Sequence, residues 1–277
     1  MNQALLSRLF LISRPKFWLY LAGTFLVGYA AGAPSLNTFT TPSFFIGLLY
    51  FTLPANLFLY GVNDYFDRDT DAHNDRKGAE EAKVRSDETQ VLRTLLLVIT
   101  LITVLYGFFL PVKASMSLTT FFLLSYAYSG PPTRLKATPV LDSASNILYV
   151  FPGVMGFTLA TSQWPSVFII AGAALWTAAM HLYSAIPDIE ADKSADIKTS
   201  AVVLGETYSL IACTALWIAS AALFISIDPW LAPSLVYPLI SVSALFHGHV
   251  KAQYRVYPYI NGLIGMAAFW YAALPLL

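Results

Sequence analysis

The chain has 277 residues, of which 57% are hydrophobic and only 12% charged, and its mean hydropathy is +0.61. Soluble domains carry about 25% charged residues and about 45–50% apolar ones, so the composition excludes a water-soluble globular protein and points to a polytopic membrane protein. The formal charge is zero, 16 basic against 16 acidic residues, which argues against a nucleic-acid partner.

A bilayer core needs roughly 20 apolar residues per crossing helix. In chain order, hydropathy predicts nine all-α transmembrane segments over residues 17–33, 43–63, 91–111, 115–129, 140–161, 167–186, 207–227, 231–247 and 258–276. They are expected to form a single transmembrane domain covering 1–277. The first apolar run is long and lacks a small-residue cleavage site, so it is expected to be a span rather than a secretory signal. Cys213, the one cysteine, sits in an apolar run and permits neither an intramolecular disulfide nor a zinc cluster.

With the N-terminus in the cytoplasm, fifteen of the sixteen basic residues fall on the cytoplasmic side. They lie in the tail (Arg8, Arg14, Lys16), after the second span (Arg68, Arg76, Lys77, Lys83, Arg85, Arg93), and as the pairs Arg134 and Lys136, Lys193 and Lys198, Lys251 and Arg255. Lys113 alone lies outside, as the positive-inside rule requires of a multi-pass cell-membrane protein. The acids follow, with Asp228 alone outside. The polar chemistry is therefore expected on the cytoplasmic face.

Two acid motifs stand out there. Asn63-Asp64-Tyr65-Phe66-Asp67-Arg68-Asp69-Thr70-Asp71 closes the second span, and at about 100° per residue Asp64, Asp67 and Asp71 share one helical face. Asp188-Ile189-Glu190-Ala191-Asp192-Lys193-Ser194-Ala195-Asp196 closes the sixth, with Asp188, Asp192 and Asp196 at steps of four. Carboxylates sharing a face repel unless a cation sits among them. Hard oxygen donors without His or Cys favour Mg²⁺, Mn²⁺ or Ca²⁺, and Mg²⁺ takes one or two carboxylates with waters and substrate phosphates. Two such stripes facing each other would hold a metal-bound diphosphate. A divalent-cation transporter is the alternative of another class; it would carry its acids near the bilayer midplane, whereas these cluster at one face.

Beyond the acids, the chain resembles the UbiA-type intramembrane prenyltransferases. Asn63 to Asp71 matches their NDxxDxxxD pattern, and Asp188 with Asp192 matches their second motif. Arg14-Pro15-Lys16-Phe17-Trp18 opens the first span as theirs does. Tyr128-Ser129-Gly130-Pro131-Pro132-Thr133-Arg134-Leu135-Lys136 resembles their YSxPPxRxK loop, and Thr199 to Gly205 resembles the segment after the second motif. The runs SRPKFWLYLAG, LYFTLPANLFLYGVNDYFD and LYSAIPDIEAD are similar to the carotenoid branch, of lycopene elongase type. Where this chain has Asp196, many members have Gly.

The resemblance implies Mg²⁺-dependent transfer of a prenyl group, dimethylallyl in the carotenoid branch, from an allylic diphosphate to a lipophilic acceptor such as lycopene. An aromatic acceptor of quinone biosynthesis is the alternative within the same class. It implies Asn63, Asp64, Asp67, Asp71, Asp188 and Asp192 as Mg²⁺ ligands for two ions, with Asp196 as a further one. Arg68, Arg134, Lys136, Tyr128, Lys193 and Lys198 would contact the diphosphate. Tyr183, His181 and Asn146, the last together with Asp142, would face the reaction cavity, where aromatic faces attract a cation.

Overall fold

The computed structural model describes residues 3–67, 85 and 88–277. Among the described residues there are helices and no strands. Seven stretches of the described residues are long and apolar enough to cross a membrane: Pro42–Phe66, Thr89–Phe108, Leu141–Thr161, Val167–Ser194, Ser200–Ile227, Pro229–His247 and Tyr257–Leu276. Leu19–Gly32 is a shorter apolar helix. Val112–Ser129 is 18 residues long but diluted by serine, threonine and tyrosine. The protein is thus a multi-pass helical membrane protein, and seven of the nine expected segments coincide with helices long and apolar enough to cross a membrane.

The chain divides into two compact units. The first comprises 1–133, 151–164 and 272–277. It contains α1 (Gln3–Ile12), α2 (Thr24–Gly32), α3 (Pro42–Thr52), α4 (Pro54–Phe66), α5 (Thr89–Phe108), α6 (Val112–Ser129) and, beyond the excursion into the second unit, the helix Phe151–Thr161.

The expected second span is two helices, because Pro54 has no N–H to continue the ladder. The backbone is stretched at Leu53, whose φ is −117°, and Asn56 Nδ2 donates to the carbonyls of Phe51 and Thr52 at 2.7 and 3.0 Å. This break sets the direction of α4, whose last turn carries the first acid motif. Helix α2 crosses Phe151–Thr161 at backbone contact: a Cβ on Gly28 would lie 2.0 Å from the Gly153 carbonyl oxygen, and one on Gly156 would lie 2.4 Å from that of Phe25. Small residues at such crossings let helices approach without a hydrophobic drive from water. Phe25, Tyr29, Phe44 and Phe51 fill the space beside it, and Phe58 of α4 stacks on Phe122 of α6 with centroids 4.0 Å apart.

The second unit comprises 134–150 and 165–271. Its helices are α7 (Leu141–Ala144), followed by a 3₁₀ stretch over Ser145–Val150; α8 (Val167–Ala185); α9 (Ile189–Ser194); α10 (Ser200–Ile227); α11 (Val236–His247); α12 (Val250–Tyr254); and α13 (Tyr257–Ala273). Helices α8 and α10 form the main packed pair, where Ser220 Oγ donates to the Gly172 carbonyl and Cys213 Sγ to that of Ala179. Tyr183, Trp217, Tyr237 and Tyr257 interlock as an aromatic core. Helix α10 begins seven residues before the expected seventh span, because Thr199 caps it by accepting from the Val202 N–H. A kink follows at Gly205, whose φ of +72° suits a residue without a Cβ.

Candidate active site

The first acid motif ends a helix. Asn63 and Asp64 occupy the last turn of α4, and Asp67 caps its C-terminus. The carboxylates of Asp64 and Asp67 are buried, at 3% and 7% exposure. They face the negative end of the helix dipole, which disfavours each by about 0.3–1 kcal/mol, so the arrangement calls for positive charge nearby. Part of it is already present: Arg14 Nη2 lies 3.0 Å from Asp64 Oδ1, in a pair with both side chains largely buried. The same guanidinium lies 4.6 Å from the Tyr60 ring centroid, a cation–π contact that holds its plane. Arg14 adopts left-handed backbone, φ +50°, where α1 gives way to a 3₁₀ turn at Pro15–Phe17; for an L-residue that costs about 1–2 kcal/mol. Asn63 Nδ2 donates to Ser129 Oγ at 2.9 Å, tying α4 to the end of α6 just before the expected diphosphate loop.

In that loop the Pro131–Pro132 bond is cis. Tyr128 is half-buried, Arg134 is exposed with φ +40°, and Lys136 is half-buried in the 3₁₀ turn Leu135–Ala137. Arg68 and Asp71 lie outside the described residues.

In the second unit, Asp188 and Asp192 are half-buried at the start and within α9. Asp192 Oδ2 accepts from Thr199 Oγ1 at 3.2 Å. The expected stripe does not extend to Asp196: α9 ends at Ser194, and Asp196 has a φ of +53°. Beyond the helix end the step-of-four spacing no longer puts it on the same face. Lys193 pairs with Glu190 at 2.8 Å on the exposed side of α9, and Lys198 is exposed. A cavity whose wall includes Ile186, Ile189, Glu190, Lys193, Glu206 and His249 has neither Asp188 nor Asp192 in it.

Three cavity expectations need correction. Tyr183 is 0% exposed; it packs in the aromatic core and donates to Gln253 Oε1 at 2.6 Å. Asn146 is buried and closes its own turn by donating from Nδ2 to the Asp142 carbonyl at 2.7 Å. Asp142 is fully buried and anchors α10, accepting from Ser200 N and Ser200 Oγ at 2.7 and 2.5 Å. Val140, two residues earlier, has a φ of +71°, an outlier for a β-branched residue worth about 1–3 kcal/mol; its N–H is held by Ser200 Oγ at 2.7 Å. His181 is half-buried on α8.

Among the described residues, no three His, Cys, Asp or Glu side chains gather into a self-sufficient metal site. The donors present still fit Mg²⁺, which is held through one or two carboxylates per ion with substrate phosphate oxygens completing the shell. Asp64 and Asp67 in one unit, and Asp188 and Asp192 in the other, supply oxygen donors of that kind. Arg14 and Thr199, which contact Asp64 and Asp192 directly, are not among the site residues expected from the sequence, although the Arg-Pro step before the first span and the Thr-Ser start of the helix after the second motif were the signals.

Comparison with known proteins agrees with this chemistry. The UbiA prenyltransferase family model matches residues 21–273. A lycopene elongase/hydratase of Haloferax volcanii is 42% identical over 260 residues, 92% of this chain and 85% of that protein. One from Halobacterium salinarum is 40% identical over 263 residues, 93% of this chain and 94% of the relative. The structure of a UbiA homolog from Archaeoglobus fulgidus bound to DMAPP and Mg²⁺ superposes with a TM-score of 0.78 at 21% identity, covering 97% of this chain and 99% of that one.

Proposed function

The chain belongs to the UbiA prenyltransferase family, and from that membership we propose that it adds prenyl groups, dimethylallyl in the first instance, to the ends of lycopene in carotenoid biosynthesis. The observation that carries this reading is 40–42% identity to lycopene elongase/hydratases across more than nine-tenths of the chain. The whole of 1–277 acts as one transmembrane prenyltransferase domain in the cell membrane. Nine helices cross it, with the N-terminus and the acid motifs on the cytoplasmic side, as the asymmetry of Lys and Arg supports.

Asn63, Asp64, Asp67 and Asp71, with Asp188 and Asp192, hold two Mg²⁺ ions. The chemistry that bound Mg²⁺ supplies is neutralisation of the diphosphate's charge as it departs. Arg68, Arg134 and Lys136 bind the diphosphate oxygens, and Tyr128 orients the group beside them. The allylic C1–O bond breaks, its electron pair leaving with the diphosphate. A terminal alkene of the acceptor donates its π electrons to C1, forming the new C–C bond and a tertiary cation, which ends by losing a proton or by capturing water. Arg14 holds the Asp64 carboxylate in place through their 3.0 Å ion pair, while the apolar helices exclude water until the bond has formed. The hydrocarbon acceptor carries no ionic handle, so its recognition rests on apolar contact alone.

Membranes containing the protein, given Mg²⁺ and dimethylallyl diphosphate with lycopene, 4-hydroxybenzoate or a naphthoate in separate incubations, test the acceptor. Prenylated lycopene is expected. Products formed only from the aromatic acids would overturn the reading.

A further inference from the structure

Asp142 is the most completely buried carboxylate among the described residues, at 0% exposure. Its carboxylate accepts three hydrogen bonds, two of them from Ser200. Oδ1 accepts from the Ser143 N–H at 2.7 Å and from Ser200 Oγ at 2.5 Å, and Oδ2 accepts from the Ser200 N–H at 2.7 Å. Ser200 is the first residue of α10, and Thr199 is its N-cap. The Thr199 hydroxyl works in two directions: its oxygen accepts from the Val202 N–H at 3.3 Å, and it donates to Asp192 Oδ2 at 3.2 Å. Two residues 58 apart in sequence are thereby joined, and the junction ends on a carboxylate of the second acid motif.

We infer that Asp142 is a positioning residue for that motif: it fixes the first turn of α10 so that Thr199 Oγ1 orients the Asp192 carboxylate toward its cation. The inference rests on the reading of Asp192 as a metal ligand given above. A donor on Oδ2 restricts rotation of the carboxylate and leaves Oδ1 as the oxygen with no partner inside the unit. Hydrogen-bond partners of metal-ligating side chains commonly govern 10–100-fold in metal affinity. A carboxylate that served only to cap a helix would change stability and leave the metal response alone.

The test measures prenyl transfer against Mg²⁺ concentration at saturating prenyl diphosphate, using the full chain in vesicles. It compares D142N, T199V, T199S and D192A with the native protein, and follows the melting of each in detergent. T199V and D142N are expected to raise the Mg²⁺ concentration for half-maximal rate by about tenfold or more, while T199S, which keeps the hydroxyl, stays within about twofold of native. If D142N does not accumulate, the T199V and T199S pair decides alone. An unchanged Mg²⁺ response in T199V, with D192A inactive, overturns the inference and leaves the proposed function standing. A fully active D192A overturns the metal reading and the inference together.

Discussion

Arg14 and Asp64, fifty residues apart in the chain, meet in a buried ion pair with Nη2 3.0 Å from Oδ1. The pair joins the segment before the first apolar helix to the last turn of α4, and so brings a fixed cation to carboxylates that a helix C-terminus disfavours. Replacing Arg14 by Ala strands a buried charge. Breaking such a pair from one side costs about 3–5 kcal/mol, so R14A should melt well below the native protein in detergent and lose most of its transfer rate. R14K should recover only part of both, because an ammonium neither forks onto a carboxylate nor stacks on Tyr60 as a guanidinium does.

Removal of the acids themselves separates chemistry from folding. D64A and D188A are each expected to lower prenyl transfer by at least about 10²-fold, the scale on which loss of one electrostatic stabiliser acts. D188A, whose carboxylate is half-buried and lies at the start of α9, should melt close to native. Product formation by chromatography, with melting alongside, reads both.

How much of this was legible in the sequence follows from the range of the interactions. Asp64 and Asp67, or Asp188 and Asp192, are related by helical period, and the apolar runs by length, so these acids and the seven long apolar helices could be read from local order. Arg14 with Asp64, and Asp142 with Ser200, are long-range pairs that no periodicity encodes. Asp196 was misread because step-of-four spacing presumes a continuous helix, whereas α9 stops at Ser194 and the backbone turns left-handed. Tyr183 was expected at a cavity because it neighbours the second motif in sequence. Its ring instead projects into the core formed with Trp217 and Tyr257.

Arg8 and Glu88 form a second long-range pair, with Arg8 Nη2 donating to Oε2 at 3.0 Å and the Arg85 N–H donating to the same oxygen at 2.9 Å. Burial works to raise the Glu88 pKa, but the hydrogen bonds from Arg8 and the Arg85 backbone, with the charges of both arginines, outweigh it and hold it below the ordinary carboxylate value. The unfolded chain therefore binds the proton more readily than the folded one. The pair's contribution is complete above the ordinary carboxylate pKa and is lost as pH falls through the lowered value. Melting followed from pH 7 to pH 3 should fall more steeply for the native protein than for E88Q.

The Gly28–Gly153 crossing leaves no room for a side chain, since a Cβ on Gly28 would meet backbone at 2.0 Å. G28A must push α2 away from Phe151–Thr161 and is expected to cost about 1–3 kcal/mol, the usual range for overpacking, or more. G265A, where an added Cβ meets nothing within 4 Å, should melt like the native protein. Parallel thermal denaturation of the two variants checks the contrast.

Elongation of a carotenoid by this membrane enzyme is the proposal on which the residue roles above depend. Mass analysis of pigments from lycopene-accumulating cells expressing the chain tests it most directly, with the D64A variant alongside. Lycopene is expected to be converted to products carrying one and two added five-carbon units, the latter a fifty-carbon carotenoid, and none with D64A. Unaltered lycopene in cells where the protein is present, folded and supplied with dimethylallyl diphosphate would contradict it.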